Sequence, residues 1–487
     1  MPRWPNFKKL DTFELVPLPP DRKIIGCRWV LTTKRNMEGE IIKYKARLVT
    51  QGFSQIPGMD FDETFSPVMR LESFRVLLAI AIQLDLEIHQ MDVVGAYLNG
   101  ELKEEIYMKQ IPGYGDGTDR VLRLNKTLYG LKQAGRVWNR RLHKALTELN
   151  YTRLFTDTCI YMRRQNGKLS IIAFHVDDSA IFTPADHIES AKNELKSKFD
   201  TRNLGELNHF VGIKISRNRV HNSITISQEQ YIQDIIEHAG MSDANTATTP
   251  MFPKQAYEKF PGPQPDYPYS TMIGSLMWAA LCTRPDIAFA VHHFAQFNNS
   301  FGPEHITGVK RIFRYLKGTT NRGIKYTKSE SGLMAVGYAD ADWGEQKDRK
   351  SISGNLFIMS GGAVAWSAKK QGTIALSTLE AEYASLSHAA RHVLWHQMLI
   401  RELGFNAERP FNINNDNRGA IALTRDPQFH GRSKHIDIKH HFIRELIERG
   451  DLKIHHVRSS DNLADIFTKP LPENLFSKFA SIIVQDT

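Results

Sequence analysis

The sequence predicts a multidomain protein combining the α+β and α/β classes. Three features predict it. An apolar run beginning at Leu169 meets Asp177-Asp178 and resumes at Ala180-Ile181-Phe182, the pattern of a β-hairpin with a polar turn. Apolar residues recur at helical spacing over 71–86, and beyond Gly332 strand-like runs precede a long helical one. The 487 residues, 41% hydrophobic and 24% charged, have globular composition, enough for roughly two to four domains.

Charge and cysteine usage narrow the class. Against 53 Asp and Glu stand 63 Lys and Arg, a net charge of +10 that favours a polyanionic partner. Cys27, Cys159 and Cys282 lie far apart, which argues against a disulfide framework and for a reducing compartment. His292 and His293 follow Cys282 without a second close ligand pair, so no zinc cage is expected. No apolar run reaches the length of about 18 residues that a span needs, and the start has no signal-peptide core; the protein reads as soluble and intracellular.

Taken in order, residues 1–20 are Pro-rich and read as an extended lead-in ending at Pro19-Pro20. Residues 26–33 and 40–51 read as paired strands about the turn Asn36-Met37-Glu38-Gly39, carrying Lys45 and Arg47 among other cations; such a hairpin is ordinarily a solvated edge. Residues 71–86 read as a helix packed under a sheet. Within 124–149 a glycine-interrupted loop leads to a helix with Trp138, Leu142 and Leu146 on one face. Strands 159–164 and 168–176 flank an Asn166-Gly167 turn. After Pro184 a helix carries Ile188, Ala191, Leu195 and Phe199 on one stripe, and 204–215 reads as further strands. A linker rich in Thr, Ala and Pro spans about 243–268. In the helix 308–317, Val309, Ile312, Phe313 and Leu316 oppose a basic face of Lys310, Arg311, Arg314 and Lys317.

Adjacent carboxylates in a tight turn repel each other, and hard divalent ions with oxygen ligands are the usual compensation. Asp92 ends a second apolar stretch, Gln90-Met91-Asp92; alone it would be a turn former or helix cap. Together, three carboxylates from two β segments can hold two Mg²⁺ ions, with Mn²⁺ as a substitute, as in-line nucleotidyl transfer requires.

At these residues the chain resembles the reverse transcriptases of copia-type LTR retrotransposons. The family pattern Q-M-D-V-x-x-A-[FY]-L-N-G-x-L matches Gln90 to Leu102, L-Y-G-L-K-Q-A-x-R-x-W matches Leu128 to Trp138, and K-A-R-L-V-x-x-G-F-x-Q matches Lys45 to Gln55. The resemblance implies a right-hand polymerase of fingers, palm and helical thumb or connection, with Asp92, Asp177 and Asp178 as its catalytic metal ligands and Val93 lending a carbonyl. It also implies that Lys45 and Arg47 lie over the incoming triphosphate, that backbone N–H groups near Gly95 and Ala96 face it, that Tyr97 sits beneath the sugar, and that Gln133 touches the nascent base pair. By the same likeness Lys310, Arg311, Arg314 and Lys317 track a template–primer backbone. Two departures stand out: His175 replaces the usual Tyr or Phe before Val-Asp-Asp, and Val94-Gly95 replaces the usual K-[TN].

A second site follows. Strand-like 333–339 ends in Asp340-Ala341-Asp342-Trp343, Ser377-Thr378 opens a long helix with an N-cap signature before Glu380 and Glu382, a strand reaches Asp416, and Asp465 begins a late helical turn. The family's A-D-A-D-W, S-T-x-E-A-E-Y, D-N-x-x-A-I and N-x-A-D-x-x-T-K-x-L are all present. They imply an RNase H-like domain on a mixed five-stranded sheet, with Asp340, Glu382, Asp416 and Asp465 as catalytic metal ligands; Asp342 and Glu380 are the near alternatives. His435, His440, His441, His455 and His456 read as surface or structural.

The implied division is a lead-in over 1–20, fingers and palm over 21–245, linker and thumb or connection over 246–330, the RNase H-like domain over 331–472 and a tail over 473–487. The expected function is RNA-directed DNA polymerase with RNase H activity, taking an RNA template, a DNA primer, dNTPs and the RNA–DNA hybrid as partners, two ions per site and no membrane. Its expected location is the cytoplasm, in a virus-like particle if the whole element is expressed, or the nucleus. The competing reading is a truncated or host-adopted remnant that binds nucleic acid without polymerising, and a third is a ribonuclease on a binding scaffold.

Overall fold

The computed structural model describes residues 11–487 apart from 36–40, 254, 331, 345–347, 408 and 425–436, and leaves aside the side chains of 42, 43 and 437–440. The Asn36-Met37-Glu38-Gly39 turn and His435 therefore lie outside the described residues, as does the side chain of His440. The chain forms two compact units, one of residues 1–69 and 87–207, the other of 70–86 and 208–487. The expected span 21–245 is thus divided between them.

The first unit opens with β1 (Phe13–Val16), β2 (Ile24–Ile25), β3 (Cys27–Arg35) and β4 (Ile41–Thr50). β3 and β4 form a two-stranded antiparallel ribbon. Part of the expected extended lead-in is strand: β1 alternates side chains and pairs antiparallel with β7 (Val121–Leu124), next to β6 (Tyr107–Met108). Pro19-Pro20 closes it after β1 rather than keeping all of 1–20 irregular.

The larger sheet is antiparallel, built from β5 (Glu87–Val93), β8 (Thr152–Arg153), β9 (Ile160–Gln165), β10 (Lys168–His175), β11 (Asp178–Thr183) and β12 (Thr201–Glu206) in the order β12-β5-β11-β10-β9-β8. Asn166 and Gly167, both at positive φ, make the two-residue turn between β9 and β10. Two helices, Ala134–Glu148 and Ile188–Lys198, supply the stripe Trp138, Leu142, Leu146, Ile188, Ala191 and Leu195 to one core with Met91, Val93, Phe174 and Ile181 of the sheet. Burying each large apolar side chain contributes about 1.5–3 kcal/mol.

The second unit carries two five-stranded sheets. β13 (His209–Phe210), β14 (Ile213–Asn218), β15 (Ser223–Ser227), β16 (Arg322–Thr327) and β22 (Gln485–Asp486) pair antiparallel throughout. The other sheet is mixed, in the order β19-β18-β17-β20-β21: β17 (Ala335–Ala341), β18 (Ile352–Met359) and β19 (Gly362–Lys370) are antiparallel, while β20 (Phe411–Asn415) and β21 (Leu452–His456) join parallel to β17. The helix Leu71–Leu84, expected to pack under a sheet, belongs to this unit. Its Ser73–Ile82 stretch is buried on every face, and buried Arg75 ties it down by donating to the Val364 and Leu281 carbonyls, both at 2.8 Å. Among the described residues no helix is long and apolar enough to cross a membrane.

Candidate active sites

In the first unit the expected turn at Asp177-Asp178 is shifted by one residue. His175 pairs with Asp178, so the turn is Val176-Asp177 and Asp178 already stands in the ladder, opposite Asp92. The Val93 N–H donates to the Asp177 carbonyl at 2.9 Å, which brings all three acidic residues to one end of β5 and β11. Val176 has φ 62°, a left-handed conformation that costs a β-branched residue of order 1–3 kcal/mol. The Trp138 indole N–H donates to the Val176 carbonyl at 2.7 Å and helps to hold the turn there.

The half-buried side chains have protein partners: Arg202 lies 3.5 Å from Asp92, and the Gln90 amide donates to Asp178 at 3.4 Å. Among the described residues, no group of three ligand atoms within 4.8 Å of one another comprises these carboxylates. Burial is the main influence on His175, pulling its pKa below the ordinary value against the pull of Asp177, so the ring is neutral at pH 7.

Around this triad, Gly95 takes φ +62° and leads into the turn Ala96–Asn99. Tyr97 meets Tyr129 edge to face at 4.9 Å, and Arg47 lies 6.0 Å from the Tyr129 ring. Burial first and then Asp177 raise both tyrosine pKa values, which places the pair in the field of the acidic turn. Lys45 stands on β4 opposite Thr32. Gln133 is buried, donating to the Asp60 carbonyl at 2.8 Å and accepting from Gln55 at 3.0 Å.

The second unit gathers acids more tightly. Ligand oxygens of Asp340, Glu382 and Asp416 lie within 4.8 Å of one another. Asp340 comes from β17, Asp416 follows the parallel strand β20, and Glu382 projects from the Thr378–Glu402 helix, whose N-cap Ser377 accepts from the Glu380 N–H. Burial first, then Glu382 and Asp465, raise Asp340 well above the ordinary carboxyl range. Burial likewise pushes Glu382 up to about 8, opposed by a hydrogen bond from Asn415 and reinforced by Asp416. Asp465 thus acts on Asp340 directly, and its own partner is Lys469 at 2.6 Å. Acids held this far above their ordinary range take up either protons or cations, so the donor set fits a hard divalent ion.

Asp342 and Glu380 have structural duties: Asp342 accepts from the Ile352 N–H, and Glu380 accepts from the Leu376 N–H at 2.7 Å. Three residues that sequence reasoning did not single out brace the cluster. Asn415 donates to Glu382 at 3.0 Å, Asn462 to Asp340 at 3.3 Å and Asp416 at 3.4 Å, and Thr468 to Asp340 at 2.8 Å. Asn462 and Thr468 are letters of the motif that contains Asp465, and that was the available signal. His455 accepts or donates to Asn412 at 2.8 Å, a structural contact.

The basic face of the helix Pro303–Lys317 is engaged within its own unit. Arg311 donates to Thr249 and lies 3.8 Å from the Phe252 ring, Arg314 donates to the Asn245 carbonyl and Lys317 to that of Ala244. Lys310 lies 5.9 Å from the Tyr267 ring.

Residues 10–253 match the family model described as reverse transcriptase (RNA-dependent DNA polymerase). The chain belongs to the reverse transcriptase family. The chain is 38% identical over 97% of its length to the retrovirus-related Pol polyprotein from transposon TNT 1-94 of Nicotiana tabacum, covering 36% of that protein. It is 39% identical over 97% of its length to the Pol polyprotein from transposon RE1 of Arabidopsis thaliana, covering 32%. A Ty5-1 transposon protein of Saccharomyces cerevisiae is 30% identical over 62% of the chain and is covered completely. The reverse transcriptase domain is thus of the copia type, and the chain spans about a third of the plant polyproteins it matches.

Proposed function

We propose that the chain is an RNA-directed DNA polymerase that also carries an RNase H activity. The single observation that carries the polymerase half is the register of Asp178 opposite Asp92, with Val93 bonded to the Asp177 carbonyl. It sets three acidic residues from β5 and the β10–β11 turn at one sheet end. When bound, two Mg²⁺ ions would supply Lewis-acid activation of the attacking oxygen and charge neutralisation on the phosphate. Asp92, Asp177 and Asp178 would hold them, with the Val93 carbonyl as a further ligand.

The chain's own residues account for the remainder. The Gly95–Ala96 backbone, Lys45 and Arg47 receive the triphosphate, and the Tyr97 ring closes the floor beneath the sugar, where it crowds a 2′-OH and favours dNTPs. Neutral His175 adds no charge beside the primer end. In the second unit, Asp340, Glu382, Asp416 and Asp465 would hold the ions that support hydrolysis of an RNA strand, recognised by its 2′-OH groups. In this reading fingers and palm correspond to the first unit, and the mixed sheet is the RNase H-like domain.

Primer extension on an RNA template with Mg²⁺ tests the first half: wild type extends and Asp177→Asn does not, and equal incorporation by both ends the claim. Hybrid cleavage that Asp416→Asn leaves intact ends the second. A wild-type chain that binds template–primer yet never extends it is the remnant.

A further inference from the structure

From His305 through Lys328 the chain carries seven Lys or Arg and no acidic residue. Lys310, Arg314 and Lys317 fall at helical spacing along one side of the helix Pro303–Lys317, with Arg311 beside them. The opposite side, Val309, Ile312, Phe313 and Leu316, is fully buried and fixes the helix in its core. The cations therefore form a row about 10 Å long that cannot rotate away.

What covers this row is the chain itself. Residues 244–249, which form neither helix nor strand, cross it. Lys317 donates to the Ala244 carbonyl at 2.9 Å, Arg314 to the carbonyls of Asn245 at 2.7 Å and Thr246 at 3.4 Å, and Arg311 to the Thr249 hydroxyl at 2.9 Å. The Ala247 N–H returns a bond to the Arg314 carbonyl at 3.2 Å. Every acceptor in this set of side-chain bonds is a neutral oxygen. Burial first, and then the neighbouring Arg314, lower the Arg311 pKa against the opposing pull of Tyr257 and Glu473, so the row is crowded with like charge.

A carbonyl offers a guanidinium or ammonium only a dipole, whereas a phosphate oxygen brings a full opposite charge and makes the stronger bond. The covering segment is also lightly held. Asn245, Thr246 and Thr248 are exposed, and burial begins only at Thr249, Pro250 and Met251. Lifting the exposed part gives up little apolar contact, the property of segments that open locally. A row of about 10 Å spans roughly three steps of one duplex strand, so it fits a continuous backbone rather than a lone nucleotide.

We propose that residues 244–249 are a displaceable strap over a surface for the backbone of a template–primer duplex, whose phosphates replace the strap's oxygens on Arg311, Arg314 and Lys317. Lys310, already exposed, extends the row. This rests on the proposed reading that the chain binds nucleic acid, and on neither of its two chemistries.

Thr246 supplies the means to test it. It packs on the bare backbone of Gly318, where an added Cβ would stand 3.2 Å from the Thr246 Cβ. Bridged cysteines have Cβ atoms roughly 3.5–4.5 Å apart, so Thr246→Cys with Gly318→Cys ties the strap down after a small shift of an exposed segment. Loss of both new thiols on oxidation shows that the bridge has closed. Binding of an RNA–DNA template–primer is then followed by fluorescence anisotropy on the full chain, in EDTA, across a range of salt. The oxidised chain should bind about tenfold more weakly than the same chain reduced, with a log–log salt slope shallower by about 0.9 for each phosphate lost. Arg314→Gln with Lys317→Gln should flatten the slope by roughly 2 when the strap is free and only slightly when it is bridged. Equal affinity and slope before and after oxidation, with the thermal midpoint not lowered, overturn the strap; a slope that the two glutamines leave as in wild type overturns the surface beneath it. Binding in neither state overturns this proposal and the proposed function together, whereas a chain that binds in a bridge-sensitive way and never extends a primer upholds the strap alone.

Discussion

Val176 shows how a single residue can matter more than its chemistry suggests. A β-branched side chain at positive φ is strained, and glycine ordinarily takes this place in a two-residue hairpin turn. Trp138 both fills the core and donates to the Val176 carbonyl. Trp138→Phe keeps most of the ring volume and removes the donor, so it should cost about 1 kcal/mol in urea unfolding and slow primer extension, because Asp177 loses part of its support. The acids of this hairpin were legible in the sequence, since apolar runs on both sides mark them. The turn's position was not: nothing in local propensity sets Val rather than Asp at positive φ. In the second unit Asn462 and Thr468 were visible only as motif letters, because a neutral side chain announces no chemistry until a carboxylate is beside it. Thr468→Val should remove the donor to buried Asp340 and lower hybrid cleavage, with cleavage rate at fixed Mg²⁺ as the measurement.

At the scale of elements, the helix Thr378–Glu402 carries the most. Its first turns place Glu382 in the cluster. The N-cap signature at Ser377 was readable, and the structure shows Ser377 accepting from the Glu380 N–H at 3.2 Å. Ser377→Ala should cost about 1 kcal/mol and speed amide exchange over residues 378–382 by roughly fivefold, whereas Ser377→Asp should retain the protection. Other elements were readable in kind but not in company. Periodicity identified a helix over 71–86, which the structure ends at Leu84, and could not tell which sheet it would join, because its residues 73–82 are buried all round and point to no single face. The Pro-rich lead-in hid β1 for a related reason: four residues with one partner strand carry too short a period to register against the prolines around them.

Across the whole molecule, buried titratable groups act in opposite directions on the two sides of neutrality. His293, His388 and His396 are each held at about 4 by burial. An unfolded histidine titrates near 6.5, so between about 6.5 and 4 the unfolded state binds more protons and stability falls as pH falls. The acid cluster works the other way. Glu382, at about 8 when folded and near 4.5 when unfolded, favours the folded state most below 4.5, and that contribution is lost as pH rises through 8; Asp340 follows in the same direction. In EDTA the thermal midpoint should therefore decline on both sides of an optimum. Mg²⁺ binds the ionised acids of the folded state, so it should raise the midpoint at pH 8 and do little at pH 5, where protons already occupy the cluster. Asp416→Asn removes one ligand and part of the repulsion, so this variant should show a higher midpoint in EDTA at pH 8 than wild type and a smaller gain from Mg²⁺. A gain of equal size at both pH values would show that the ion binds somewhere other than these acids.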